Sequence, residues 1–451
     1  MTFAYFVYLA YCVMPLPLSG PDAKGLPVES RPSRISVPTA STASHAAAPA
    51  EAGASSQEKT TRHRRRCPRW AFSGETLAEG FSSQKNAIGL LRLLMAVAVV
   101  VSHSSPLGYG KPDPGDISTG GQINLGRLAV FGFFILSGFL ISRSAMHQSI
   151  GRYTWARALR IAPGLWVCLI FTACVVAPLL YYHQMHTTAG FWHAGNGPFS
   201  YMKANWWTGL GQFDISNVIA TARKWHHAFD IGFDGALWSL PYEIACYFIV
   251  GVLAVTKVLK SSRRLILFIA VGLWIYLLDD LDVAASWRAP QDLDGGFTIG
   301  LPVVQGYMGP LQSTQFAYLG FAFTLGMLLQ LYADRVPVNR VLAAAAAALF
   351  VGTMWVGAFY VVGIPAFAYL LFWLALKLPR PFPVLWHDND FSYGIYIYGF
   401  VVEQALAVMA FNRHGQLAYL MASLVGTLAL AVPSWFLVEK QAMKLKRWKL
   451  K

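Results

Sequence analysis

Leu90–Pro106 reads LLRLLMAVAVVVSHSSP, the apolar run of a membrane helix in all but two residues, Arg92 and His103. An ionisable side chain at mid-bilayer costs roughly 2.5–3.5 kcal/mol on insertion scales, so each of the two must be solvated by protein, water or ligand. They stand eleven residues apart, which on a helix is about 16 Å of rise and about three turns. They therefore project from one face at two depths. An arginine near a helix end can snorkel and a histidine at an interface can simply be hydrated, so partners elsewhere in the chain must decide whether the pair marks a site.

The surrounding chain is of the same kind. Of 451 residues, 55% are hydrophobic and 14% aromatic while 13% are charged, which excludes a string of ordinary soluble domains. The net charge of +14 does not point to nucleic acid, because the basic residues gather between apolar runs. Five cysteines, Cys12, Cys67, Cys168, Cys174 and Cys246, have neither metal-ligand nor paired spacing, so no metal is expected.

Residues 1–82 stand apart as a weakly structured or disordered extension, in which the short apolar start MTFAYFVYLAYCVM leads into Pro/Ala/Ser-rich sequence and the basic RHRRR of Arg62–Arg66. Residues 83–440 form the membrane domain, an all-α polytopic bundle of about ten helices near 86–104, 125–142, 161–182, 236–256, 264–281, 316–332, 338–357, 359–376, 391–411 and 416–437. Residues 441–451 are a basic tail. Arg143, Arg152, Arg157 and Arg160 follow the second run, Lys257, Lys260, Arg263 and Arg264 the fourth, Arg335 and Arg340 the sixth, and Lys377 and Arg380 the eighth. Every second loop is thus basic, which predicts that both termini are cytoplasmic and that the long loops 183–235 and 282–315 face outward.

Partners for the two polar residues can be read from other segments. FDGALWSLPYEIACY, Phe233–Tyr247, opens the fourth run and carries Glu243, expected at the outer end beside His103, where a carboxylate would orient an imidazole acting as general base. RYTWARALRIAPGLW, Arg152–Trp166, sets Arg157 and Arg160 three residues apart on one helix face, a pair suited to phosphate, though positive-inside marking also accounts for them. Gly126, Gly132, Ser137 and Gly138 in GRLAVFGFFILSGFLISRS are small residues that let helices approach closely or backbone meet a ligand. Trp238, Tyr242 and the loop YMKANWWTG, Tyr201–Gly209, offer aromatic faces for a sugar, and equally for a membrane interface.

NAIGLLRLLMAVAVVVSHSSP, FGFFILSGFLISR, RYTWARALRIAPGLW, FDGALWSLPYEIACY, DFSYGIYIYGF and WFLVEK follow one another in this order, and with them the chain resembles the acyltransferase-3 family, membrane-bound O-acyltransferases of bacterial surface polysaccharides, over about residues 85–440. The resemblance implies a ten-helix bundle in the bacterial cytoplasmic (inner) membrane that takes its acyl group, acetyl by preference, from acyl-CoA in the cytoplasm. It makes His103 the catalytic histidine, Arg92 its paired arginine, and Arg157 and Arg160 the donor-binding motif. The implied acceptor is a polysaccharide such as an O-antigen or exopolysaccharide, or its lipid-linked precursor, with membrane lipid around the protein and polysaccharide biosynthesis proteins as partners. Many members carry a histidine where this chain has Gly399, and some append a further soluble domain after the bundle.

Combined, these readings predict transmembrane acyl transfer: acetyl-CoA phosphates on the arginines, the pantetheine arm reaching toward His103, and Glu243 holding the imidazole while Trp238 and Tyr242 line the acceptor site. The competing reading is a transporter or flippase of a sugar or lipid-linked saccharide, which inverted repeats would favour; the two halves show no convincing self-similarity.

Overall fold

The computed structural model describes residues 75–81, 86–209, 211–226, 232–283, 287, 296–299, 311–378 and 389–447. The chain divides after Ala71; the expected disorder of the extension lies outside the described residues except at its end. The described chain begins at Glu75. α1 (Leu77–Gly80) is closed by a capping box, Thr76 accepting from the Glu79 amide while Glu79 accepts from the Thr76 amide. Leu77 N and Ala78 N donate to Val336 O and Ala333 O at 2.8 and 2.9 Å, tying it to the bundle.

α2 (Ile88–Tyr109) contains Arg92 and His103 on one continuous helix, which stops at Gly110 with φ of 60°. α3 (Pro114–Thr119) is a short turn capped by Asp113, with proline in its first turn. α4 (Leu125–His147) is capped by Asn124, which accepts from Arg127 N at 2.7 Å. α5 (Ile150–Phe171) runs through a wide π turn, Thr172–Val176, into α6 (Ala177–Met185). This 36-residue span, about 54 Å at 1.5 Å per residue, outreaches a hydrocarbon core of about 30 Å. Arg152, Arg157 and Arg160 therefore belong to the helix itself, not to a loop ahead of it, as the 161–182 boundary had implied.

Between the third and fourth spans lie α7 (Pro198–Asn205) and α8 (Val218–His226). A 3-10 turn, Gly235–Ser239, leads into α9 (Leu240–Val255), followed by α10 (Val258–Ser261) and α11 (Arg263–Val283). Two short antiparallel strands, β1 (Thr298–Ile299) and β2 (Leu311–Gln312), precede α12 (Ser313–Leu331) and α13 (Arg340–Val356). A π turn, Phe359–Gly363, opens α14 (Ile364–Lys377), and α15 (Ser392–Val408) carries the late tyrosines. α16 (Gln416–Ser434), a third π turn at Trp435–Glu439, α17 (Lys440–Lys444) and a 3-10 turn at Leu445–Arg447 end the described chain.

Each of the ten expected apolar runs is helical. Seven helices among the described residues are long and apolar enough to cross a membrane; α11 carries Asp279 and Asp280 near its end, and α13 and α15 have 17 residues each. The core is built on α4 and α12, whose spans are each 67% buried against 28% for the last span. Their approach is closed by glycine: a β-carbon on Gly138 would drive into the Phe323 carbonyl oxygen, and one on Gly326 into that of Ile135. Packing is thus the use of Gly138, and likewise of Gly132 against Met95 and Gly126 against Ser102.

Candidate functional site

Neighbour pairs fix the levels along the bundle. α2 and α15 run parallel, with Arg92 beside Asp390 at one end and the His103 ring 5.0 Å from Phe400 toward the other. α4 runs against α2, matching Gly132 to Met95 and Gly126 to Ser102, so Ser137 lies at the arginine level. α9 runs against α5, with Gly251 against Ile150 and Tyr153 Oη donating to Tyr247 O at 2.8 Å. Continued one turn, that register sets Glu243 beside Arg157 and Arg160.

Those residues line one cavity of about 50 Å³, formed by Arg92, Arg157, Arg160, Glu243, Ser137, Tyr247 and Tyr393 with apolar Leu140, Ile141 and Ile161. A buried water needs about 10–15 Å³ on this measure, so there is room for three to five waters or one phosphate-sized group. The three arginines are not equivalent. Arg160 Nη2 meets Asp390 Oδ2 at 2.7 Å and its Nη1 lies 3.6 Å from Glu439 Oε2. Arg92 shares the same Asp390 oxygen at 3.5 Å. Arg157 has no ion pair among the described residues; its Nε is buried without a hydrogen-bond partner, and its guanidinium lies 6.0 Å from the Tyr247 ring centroid. A buried donor left unpaired costs about 1–3 kcal/mol, and the described residues supply no acceptor to Arg157 Nε.

Glu243 corrects the sequence reading. Its Oε1 accepts from Ser137 Oγ at 3.1 Å and from the Tyr247 hydroxyl in a short bond, at the arginine level and about 16 Å along the axis from His103. The expected His103–Glu243 contact does not form. The cause is where the fourth span starts. Its opening turn is sunk in the bundle, with Phe233, Ala236 and Leu237 at most 2% exposed and Tyr396 Oη bonded both to Ala236 O and, at 2.7 Å, to Ser239 Oγ. Glu243 therefore begins its descent from mid-bundle, not from the far surface. Hydropathy reports that 236–256 is helical but not the depth at which the helix begins.

Among the described residues, the carboxylate within electrostatic reach of His103 is that of Asp113. Asp113 is 3% exposed, accepts from Ser102 Oγ and the Gly115 amide, and from Leu125 N at 3.3 Å, so it is fixed by both helices flanking the turn. His103 is half-buried with its Nδ1 enclosed and unpaired. The Asp113 carboxylate can stabilise an imidazolium by charge without a direct hydrogen bond.

Of the expected sugar-stacking residues, Tyr242 is 3% exposed, and its hydroxyl accepts from Gln312 N at 2.9 Å while its ring packs near Trp238 and Phe316. It has no open face, and the structure gives it a packing role. Trp238 is half-buried beside it. Of the expected 201–209 loop, Tyr201–Asn205 instead belongs to α7; just beyond it Trp206 stacks on Trp166, centroids 4.9 Å apart and planes 9° from parallel, whereas Trp207 is 54% exposed.

Asp113, Asp390 and Glu439 were not anticipated. Asp390 opens the motif DFSYGIYIYGF and Glu439 lies in WFLVEK, so both stood in segments already singled out. Their pairing with Arg160 spans 230 and 279 positions of sequence, which no local pattern encodes.

The pattern of the acyltransferase domain, the acyltransferase-3 family, matches residues 85–436, and the chain belongs to that family. It is a membrane protein of the acyltransferase class. An O-acetyl transferase of Shigella phage Sf6 is 28% identical over 368 residues, covering 79% of this chain and 96% of the relative. Nodulation protein 10 of Rhizobium leguminosarum bv. viciae is 28% identical over 384 residues, covering 82% of this chain and 96% of the relative. No solved structure matches. The family decides for acyl transfer over the transporter reading.

Proposed function

We propose that the protein transfers an acyl group, acetyl by preference, from acyl-CoA to a hydroxyl of a surface polysaccharide or its lipid-linked precursor, with the arginine end facing the bacterial cytoplasm and His103 toward the acceptor side. The observation that carries this reading is the arrangement of a phosphate-sized cavity holding the unpaired Arg157 and a half-buried histidine about 16 Å further along the same bundle. The residues fit such a donor: Arg157 has free guanidinium donors for phosphate, and the cavity is far below the roughly 300–1,000 Å³ that takes a whole drug-sized ligand, so it accepts one end group only.

Acyl-CoA supplies an activated carbonyl when bound. Arg157, with Arg92 and Arg160 held by Asp390, grips and orients phosphate. His103 takes the proton of the acceptor hydroxyl at its available ring nitrogen as that oxygen attacks the carbonyl, Asp113 stabilises the imidazolium by its charge, and His103 returns the proton to the departing thiolate. One proton leaves oxygen and one arrives at sulfur, so no further acid or base is required. The O-acetyl transferase relative and the family support transfer to oxygen. The test is purified protein in detergent with labelled acetyl-CoA, measuring CoA release with and without polysaccharide. Acceptor-dependent release absent in His103→Gln supports the reading; undiminished release in that variant rejects His103 as the base.

A further inference from the structure

We propose that Lys446, in the turn that docks on α5 beside Trp155, two residues from Arg157, is a further phosphate contact for the donor; this rests on the acyl-CoA reading above. The C-terminal segment is not a loose tail. Trp435 Nε1 and Lys440 Nζ both donate to Asn389 Oδ1, at 2.9 and 3.0 Å, beside the Asp390 that holds two arginines. Glu439, 2% exposed, reaches Arg160, and Trp155 Nε1 donates to Leu445 O at 3.2 Å, docking the final turn on α5 two residues from Arg157.

That docking brings Lys446 within electrostatic reach of both Arg157 and Arg160, half-buried and without an ion pair among the described residues. Arg92, Arg157, Arg160 and Lys446 then face Asp390, Glu439 and Glu243, four cations against three carboxylates. The carboxylates are already engaged: Asp390 with Arg92 and Arg160, Glu439 with Arg160, and Glu243 with two hydroxyls. Arg157 and Lys446 are the two without an ion pair among the described residues, and they lie within electrostatic reach of each other. Burial, and then the two arginines, push the Lys446 amine down to about 8, the expected penalty for cations gathered without their anion. A fork-shaped guanidinium beside a point-charge ammonium suits a phosphate or pyrophosphate.

The test uses the full chain in detergent, with Lys446→Gln and Lys446→Arg, and compares acetyl-CoA with S-acetylpantetheine, which has the same thioester and no phosphate. Lys446→Gln should raise KM for acetyl-CoA about tenfold with little change in kcat, and Lys446→Arg should recover most of it. The shift should be absent with S-acetylpantetheine. An equal shift with both donors, or none with either, overturns the proposal. Calorimetric binding of CoA itself separates the two levels: if the wild type does not bind CoA, the donor reading fails, whereas unaltered CoA affinity in Lys446→Gln defeats only the Lys446 assignment.

Discussion

Arg157→Gln gives opposite answers in two measurements if Arg157 is a donor contact. In the protein without donor its Nε is buried and unpaired and it has no ion pair among the described residues, so removing the guanidinium relieves a penalty of about 1–3 kcal/mol and gives up only the long contact with the Tyr247 ring, worth about 0.5–1 kcal/mol. Thermal unfolding in detergent should therefore show unchanged or slightly raised stability. With donor bound, a charge-assisted contact worth about 1.5–3 kcal/mol is lost, which corresponds to a rise of about 10- to 150-fold in KM for acetyl-CoA. Arg160→Gln is the contrast, because it strips Asp390 and Glu439 of a partner at 2.7 and 3.6 Å and should lower stability as well as donor affinity. An Arg157→Gln protein that is clearly less stable yet keeps wild-type KM would refute the argument and make Arg157 a structural residue.

His103→Gln should lower turnover by about 10²–10⁴ while leaving CoA binding intact, and Asp113→Asn should lower kcat by less; loss of CoA affinity in His103→Gln would show that the two ends of the bundle are not separate. Gly138→Ala should cost about 1–3 kcal/mol of stability, or more, because the new methyl meets backbone, whereas Gly320→Ala meets nothing within 4 Å and should be neutral; equal unfolding temperatures would argue against the tight α4–α12 approach. Lys446 loses its charge as pH rises through about 8, so KM for acetyl-CoA should climb across that range in the wild type and stay level in Lys446→Arg; parallel profiles would remove Lys446 from the donor site.

The fold was legible because the bilayer forces it: each apolar run had to be a helix to satisfy its backbone, and each is. Arg92 was legible for the same reason, since charge in an apolar run demands a partner, whereas Arg157 and Arg160 were legible as a pair spaced for phosphate although their span was started too late; the structure brings all three to one cavity. Glu243 was recognisable as a buried carboxylate but was assigned to the wrong level, because its depth depends on Tyr396 holding the Gly235–Ser239 turn inside the bundle. Asp113 sits in a polar turn where an acid excites no notice, and its relation to Ser102 and Leu125 exists only once α2 and α4 pack. The TLAE of Thr76–Glu79, by contrast, was a readable capping signal that composition alone obscured.

The wide turn at Trp435–Glu439 acts as a phase shifter. An α-helix advances about 100° per residue, so the residue it accommodates beyond a regular turn rotates everything downstream by that angle. Without it the acid at 439 would swing off Arg160 and the final turn would leave the face of α5 that it now covers. What the segment conserves is therefore angular bookkeeping more than any one side chain: shortening it by a single position would misdirect Glu439 and Lys446 together, even with every residue of both ends retained.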